Sequence, residues 1–502
     1  MITAAALAVT GAWLGFANPL FQLPALVLLL PAGLTLIGLS SATPGRAFKQ
    51  GWITTGLAFT LCLYWIVVPV NRYGGLPLFL ALPCPVLLGA YLGLYPALFT
   101  LALQWASRRL PPSLAGLLAG LIWFCLEFAR GHLFSGLPWL VLSQAFAPWP
   151  AAIQSAGLVG SYGLSGMVCA LSVWTVLGFR SAKTFFLPCC LLLGLAGFGW
   201  WQTGQPVPET RELSVGTVQA NIDQSLKWDE AYQAFTVDRY LELSRNMTRQ
   251  RPVDLLVWPE TALPFYFQDL GEQAGRIHSF VRAQDLLLVT GSPAYSVDPQ
   301  GGFEIYNRAY LVGGQSRILG HYDKEHLVPF GEYVPFSPYI PFARKLVAGV
   351  GDFSPGDNDT PLTDDGVRIG MLICYEAIFP ELAQKRVAQG ANLLVNISND
   401  AWFGDTSAPL QHLHLSVLRA VEQNRFVVRA TNTGISALID PKGRITHQSR
   451  LFQSGTLYAS EVALIEERTF FSRHGRTVTV SLFAATALLL AIAARRTVTA
   501  RP

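Results

Sequence analysis

Charge is what this chain has least of: of 502 residues, 14% are Asp, Glu, Lys or Arg, against 51% hydrophobic. That balance excludes a disordered tail, a collagen-like rod and a nucleic-acid-binding arm, and it points to a membrane protein. Acids are scarcer still over the first 201 positions, where Glu127 stands alone beside eight Lys or Arg. Also missing are a phosphate-binding glycine loop, a dinucleotide-binding glycine pattern and any internal repeat. His412 and His414 are two apart and His321 and His326 five apart, without a cysteine or carboxylate cluster of zinc spacing, so neither metal nor cofactor is implied.

Cysteine is also sparse. Six of the seven (Cys62, Cys84, Cys125, Cys169, Cys189 and Cys190) lie in apolar runs, where a thiol behaves as a small hydrophobe. Cys374 is alone in the polar part of the chain and has no disulfide partner there, which makes it a candidate nucleophile.

What charge there is falls unevenly. Residues 202–476 hold 31 of the 32 acids and 25 of the 36 bases, so a net +4 conceals a membrane part near +10 and a soluble part near −6. A span needs about 20 apolar residues. Seven runs precede the polar block (3–17, 21–40, 51–70, 78–105, 113–129, 157–179 and 184–201) and one, 477–494, follows it. The fourth contains Pro77, Pro83, Pro85 and Pro96 and reads as a kinked helix or a re-entrant piece followed by a span. The first has no basic flank and reads as a span rather than a cleaved signal. With the N-terminus inside, inner loops carry Arg46, Lys49, Arg108, Arg109, Arg180 and Lys183 and the tail carries Arg495, Arg496 and Arg501, against Arg72 and Arg130 outside. Both termini are then cytoplasmic and the large block is extracytoplasmic. The expected organisation is a membrane domain over 1–201, a catalytic domain over 202–476, and an eighth helix with its tail over 477–502. Glu127 is expected either to pair with Arg130 or to snorkel to the interface.

Within the polar block, β-branched apolar runs at 213–221, 253–258, 286–291, 304–312, 367–374, 392–397, 426–431 and 434–439 alternate with helical patterns at 229–249, 270–284, 378–389 and 407–424. That order predicts a layered α/β sandwich, in which reacting groups gather at strand ends. Three segments supply one able residue each. Trp258-Pro259-Glu260-Thr261 stops a strand and presents Glu260, a candidate base. Tyr322 to Glu332, otherwise apolar, presents Lys324 and Glu332. Gly370 to Glu376 is a buried strand that delivers Cys374. A base, a cation and a thiol are the parts that acyl transfer through sulfur needs. Three aromatic stretches, 263–267, 335–342 and 401–404, read either as interfacial anchors or lids or as ordinary packing.

The order Glu260, Lys324, Cys374, with these neighbours, resembles the nitrilase (carbon-nitrogen hydrolase) superfamily, which implies an αββα sandwich and acylation of the cysteine. The whole chain, about eight membrane helices plus that sandwich, resembles the apolipoprotein N-acyltransferase family, on Val218 to Trp228, Trp258 to Thr261, Leu327 to Tyr333 and Ile373 to Glu376. The resemblance implies a bacterial inner-membrane enzyme with a periplasmic catalytic domain and a ping-pong reaction. Cys374 would take an acyl chain from a phospholipid, typically sn-1 of phosphatidylethanolamine, and the thioester would then pass to the amine of an S-diacylglyceryl cysteine on a lipoprotein. It makes Glu260 the base and Lys324 the oxyanion partner. Glu332 would support the pair, Tyr375 and Glu376 would shape the pocket, and Trp228 would lie on a substrate-contacting loop. A monomer is expected, with no nucleic-acid partner. The rival readings are a membrane-tethered amidase, in which water resolves the acyl-cysteine, and a transporter or scaffold whose domain has lost catalysis.

Overall fold

The protein was analysed as a computed structural model that describes residues 1–179, 182–207, 210–225, 227, 229–269, 271–297, 302–334 and 353–496. Twelve strands among them are β1 Glu212–Gln219, β2 Leu255–Val257, β3 Leu287–Val297, β4 Phe303–Val312, β5 Ile318–Asp323, β6 Leu362–Asp364, β7 Val367–Ile373, β8 Leu393–Ser398, β9 Val427–Thr431, β10 Ala437–Ile439, β11 Ile445–Gln448 and β12 Gly455–Ala463. They form two six-stranded sheets, ordered β12-β1-β2-β3-β4-β5 and β11-β10-β9-β8-β7-β6. Each has three parallel strands at its centre, β1-β2-β3 and β7-β8-β9, flanked by antiparallel ones. The eight expected strands are all present. β5, β6, β11 and β12 were not anticipated: β6 has three residues, β11 is mostly exposed, and β12 mixes exposed, half-buried and buried positions without regular alternation.

The sheets pack face to face through Val215, Val257, Val289 and Leu311 on one side and Ile369, Met371, Ile373 and Val395 on the other. Helices Glu230–Thr248 and Glu272–Gln284 cover the first sheet. Asp229 caps the first of these, its carboxylate accepting from the Ala231 N–H at 3.0 Å. Helices Pro380–Ala388 and Ala408–Gln423 cover the second sheet, completing the nitrilase-like αββα sandwich. Helix Ala408–Gln423 is buried on every side, because its other face packs on membrane helix Ala156–Gly178. Sheet, helix and membrane helices therefore share one apolar core.

Among the described residues five helices are long and apolar enough to cross a membrane, or six if Pro44–Cys62 and Tyr64–Tyr73, bent by 59°, make one span. The first two expected spans are the shorter apolar helices Ile2–Gly15 and Pro24–Ser40. The fourth run is a 30-residue helical stretch, Leu78–Ser107. Pro83 and Pro85 sit in the first turn of its main helix, where the missing N–H groups have no intrahelical acceptor to lose. The break falls one run earlier, where the chain turns at Leu63 under the sandwich. There the Tyr64 hydroxyl accepts from Ser407 N–H at 3.1 Å, Trp65 Nε1 donates to Gln411 Oε1 at 3.1 Å and the Tyr73 hydroxyl donates to the Ala401 carbonyl at 3.1 Å. Glu127 and Arg130 are both buried, which rules out snorkelling, and no ion pair joins them; Glu127 accepts instead from Trp123 Nε1 at 2.8 Å and Leu142 N–H at 2.9 Å.

Candidate active site

Glu260, Lys324 and Cys374 come together at the C-terminal edge of the sandwich, each just past the strand that precedes it. Pro259 ends the β2 ladder and Thr261 follows in the left-handed region at φ 47°, so the backbone folds back and carries Glu260 over the gap between the sheets. Its Oε1 accepts from Asn307 Nδ2 at 2.7 Å and lies 3.7 Å from Lys324 Nζ. Its Oε2 is buried without a partner among the described residues, a carboxylate oxygen open to a proton. Lys324 follows β5, is 1% exposed, and donates to Glu332 at 2.9 Å. Glu332 also accepts from Asn307 Nδ2 at 3.0 Å and Val328 N–H at 2.8 Å, which pins the loop after Lys324. Burial disfavours the Lys324 ammonium, but Glu332 and then Glu260 outweigh it and hold its pKa above the usual lysine range. It is a fixed cation, not a proton donor.

Cys374 follows β7 at φ 53°, a left-handed conformation that costs a non-glycine residue about 1 kcal/mol or more and turns the chain out of the strand. Burial and then Glu260 push the thiol pKa up, with Lys324 opposing, so at rest the sulfur keeps its proton and needs a base. Glu376 does not line the cavity. It sits fully buried behind it, Oε1 accepting from the Tyr322 hydroxyl at 2.7 Å and the N–H groups of Glu325 at 2.8 Å and His326 at 3.0 Å, Oε2 from Ile373 N–H at 2.7 Å. One carboxylate thus fastens the Cys374 turn to the Lys324 loop. Tyr375 is in the cavity wall, its hydroxyl donating to the Gly136 carbonyl at 3.1 Å. Trp228 lies outside the described residues.

Three neighbours went unassigned in the sequence. Asn307, on β4, orders both carboxylates, and nothing in the sequence singled it out from the strand's other polar residues, Glu304 and Arg308. Lys227 stands in the cavity wall, its Nζ 3.4 Å from the Glu260 carbonyl oxygen. His412 faces the Cys374 carbonyl oxygen through Nε2 at 3.1 Å, so Nε2 carries a hydrogen, and its Nδ1 lies 3.1 Å from both Asp400 Oδ1 and an Arg429 guanidinium nitrogen; burial and then Arg429 lower its pKa, with Asp400 opposing. Helical spacing marked His412 as a poor metal ligand and was silent on this contact.

The groups open on a cavity of about 810 Å³, whose polar end is Glu260, Lys324 and Cys374. Its other walls are apolar and come from the membrane helices and their loops: Val70, Leu87, Leu88, Tyr91, Leu133 and Phe134. Trp402 and Phe403 close one side, Trp402 edge-on to Tyr73 at 4.9 Å and Phe403 to Trp65 at 5.0 Å. Of the other aromatic stretches, 263–267 is mostly packing, with Leu263 and Phe267 fully buried beneath the first sheet, and 335–342 lies outside the described residues.

Residues 214–465 match the carbon-nitrogen hydrolase family and residues 10–174 the apolipoprotein N-acyltransferase N-terminal domain. The apolipoprotein N-acyltransferase of Geobacter metallireducens is 39% identical over 92% of this chain and 89% of its own. This chain belongs to the apolipoprotein N-acyltransferase family. The Azotobacter vinelandii member is 34% identical over 89% of this chain and 87% of its own. A solved carbon-nitrogen hydrolase from Helicobacter pylori aligns over 53% of this chain and 93% of its own, at 17% identity and a TM-score of 0.37. In this family setting a sandwich fused to membrane helices is an acyltransferase, and its sulfur lies at the end of an apolar cavity.

Proposed function

We propose that the chain N-acylates the N-terminal S-diacylglyceryl cysteine of bacterial lipoproteins, taking the acyl chain from a phospholipid through a thioester on Cys374. The observation that carries this reading is the cavity: one wall belongs to the membrane helices and the other holds the thiol, so an acyl chain can stay in an apolar surround while its ester carbonyl meets sulfur. In the first half-reaction Glu260 Oε2 takes the Cys374 proton and the thiolate adds to the ester carbonyl. Lys324 stabilises the oxyanion, and collapse expels the lysophospholipid alkoxide, which recovers the proton from Glu260. In the second, the lipoprotein amine adds to the thioester, Glu260 accepts its proton, and the departing thiolate takes that proton back.

Phosphatidylethanolamine is the donor in this reading, and the enzyme acts as a monomer in the bacterial inner membrane. Residues 1–201 are embedded, 202–476 lie on the periplasmic side, and 477–502 return to the cytoplasm. The hydrogen bonds from Arg108 to the Ser41 and Ala42 carbonyls, at 3.0 and 3.1 Å, support this topology, since they join two loops assigned to the same inner side.

Purified protein incubated with phospholipid should gain a fatty-acyl mass on Cys374 that hydroxylamine removes and a diacylated lipopeptide discharges. Cys374→Ala should form no adduct, and Glu260→Gln should slow its formation by about 10²–10⁴-fold. Discharge only to free fatty acid, or normal labelling of either variant, would refute the proposal.

A further inference from the structure

Among the described residues the charged side chains in the cavity wall are Glu260, Glu332, Lys324 and Lys227. Lys324 is committed to both carboxylates. Lys227 is not: it is 1% exposed and makes no carboxylate ion pair among the described residues, and its single hydrogen bond is the long one, 3.4 Å, to the Glu260 carbonyl. An ammonium has three donors, so two of them have no acceptor among the described residues. A buried cation left in that state is costly unless something else completes it. Beside it, Gln224 also lines the cavity, and its Oε1 is taken by Asn399 Nδ2 at 2.6 Å, which orients the amide and leaves its NH₂ group as a further donor.

The charges make the same point. Among the described residues two carboxylates and two lysines leave the cavity wall neutral, and without Lys227 that wall would be net negative and would repel an anionic ligand. Lys227 is therefore what allows one more negative charge to enter. Burial pulls its pKa down to about 8, with Glu260 opposing, so the site is cationic at neutral pH without holding a counterion of its own.

We propose that Lys227, with the Gln224 amide, binds the phosphodiester of the glycerophospholipid acyl donor. The inference rests on the acyl-transfer reading above and adds to it how the donor is chosen: the chain is held by apolar walls, the ester by Cys374 and Lys324, and the headgroup by a separate anion site. A lipoprotein's diacylglyceryl cysteine has no phosphate, so this site serves the first half-reaction and not the second.

Single-turnover acylation of Cys374 should be followed by intact mass with two donors, a phospholipid and the uncharged p-nitrophenyl ester of the same fatty acid. Lys227→Met should lower the rate with subsaturating phospholipid by roughly 10- to 100-fold, the worth of charge-assisted hydrogen bonds. The rate with the neutral ester, and the discharge of preformed thioester to a diacylated lipopeptide, should fall by much less than the phospholipid rate, because to these steps Lys227 gives only its one long hydrogen bond to the Glu260 carbonyl, and their persistence also shows that the variant is folded. Lys227→Arg should recover part of the phospholipid rate. Equal losses with both donors, or an unchanged preference for phospholipid in Lys227→Met, would overturn the assignment. Failure of the wild type to form an adduct with phospholipid would instead refute the acyl-transfer reading on which it rests.

Discussion

Replacing Gly291 with alanine tests whether the position of Glu260 is set by the strand beneath it. Gly291 lies in β3 directly under the turn that carries Glu260, its N–H donating to the Pro259 carbonyl at 3.2 Å and its carbonyl accepting from Leu263 N–H at 3.1 Å. A β-carbon there would come within 2.5 Å of Thr261 N, 2.8 Å of Glu260 Cα and 2.9 Å of the Pro259 oxygen, all backbone atoms that no rotamer change can move. Since carbon contacts relax near 3.5–4 Å, the turn must lift by about 0.5–1 Å. The overpacking should cost about 1–3 kcal/mol of stability. The larger effect is on the reaction, because the 2.7 Å bond from Asn307 and the 3.7 Å approach of Lys324 both depend on where Glu260 sits. A misplacement near 1 Å should slow acylation by about 10²-fold. Single-turnover acylation by phospholipid, read by intact mass, measures this. Alkylation of Cys374 by a small thiol reagent should slow as well, because the sulfur keeps its proton until a base takes it, and thermal unfolding in detergent serves as the control that the variant is folded. An acylation rate indistinguishable from wild type would show that the β3 contact does not position the base.

Glu376→Gln should lower stability by about 2–4 kcal/mol, because an amide can serve either the three donors at Oε1 or the one at Oε2, and leaves buried N–H groups facing its NH₂. Thermal unfolding in detergent checks this, and an unchanged midpoint would refute the role as a fastener. In oriented membranes, a charged thiosulfonate reagent that cannot cross lipid should label Cys374 from the periplasmic side alone, with Cys374→Ala as the blank. Labelling from the cytoplasmic side would overturn the topology.

The buried sandwich strands and the three residues proposed to react were legible because their signals are local. A buried parallel strand is a short β-branched run, and a proline after it ends the ladder whatever the rest of the chain does. Strands β11 and β12 lack that signal, and they exist because neighbours in the sheet pair with them. The break at Leu63 escaped for a related reason. Proline content pointed to the fourth run, but Pro83 and Pro85 stand in a first helical turn and Pro96 is carried inside a continuous helix, whereas the third run bends because Tyr64, Trp65 and Tyr73 find partners on the sandwich, more than 300 residues away.

Composition and pattern alone determined that this chain is divided between lipid and water, and that a thiol, a carboxylate and an ammonium stand at strand ends, since both follow from hydrophobicity and from short-range backbone rules. Tertiary structure alone decided that Asn307 orders both carboxylates, that Glu376 serves as a tie behind the wall, that His412 supports the nucleophile's carbonyl, and that Lys227 stands buried with donors to spare. Each of these depends on residues distant in the chain meeting at one place, and no local periodicity encodes such a meeting. Only the packing of two sheets on a membrane bundle brings them within hydrogen-bond reach.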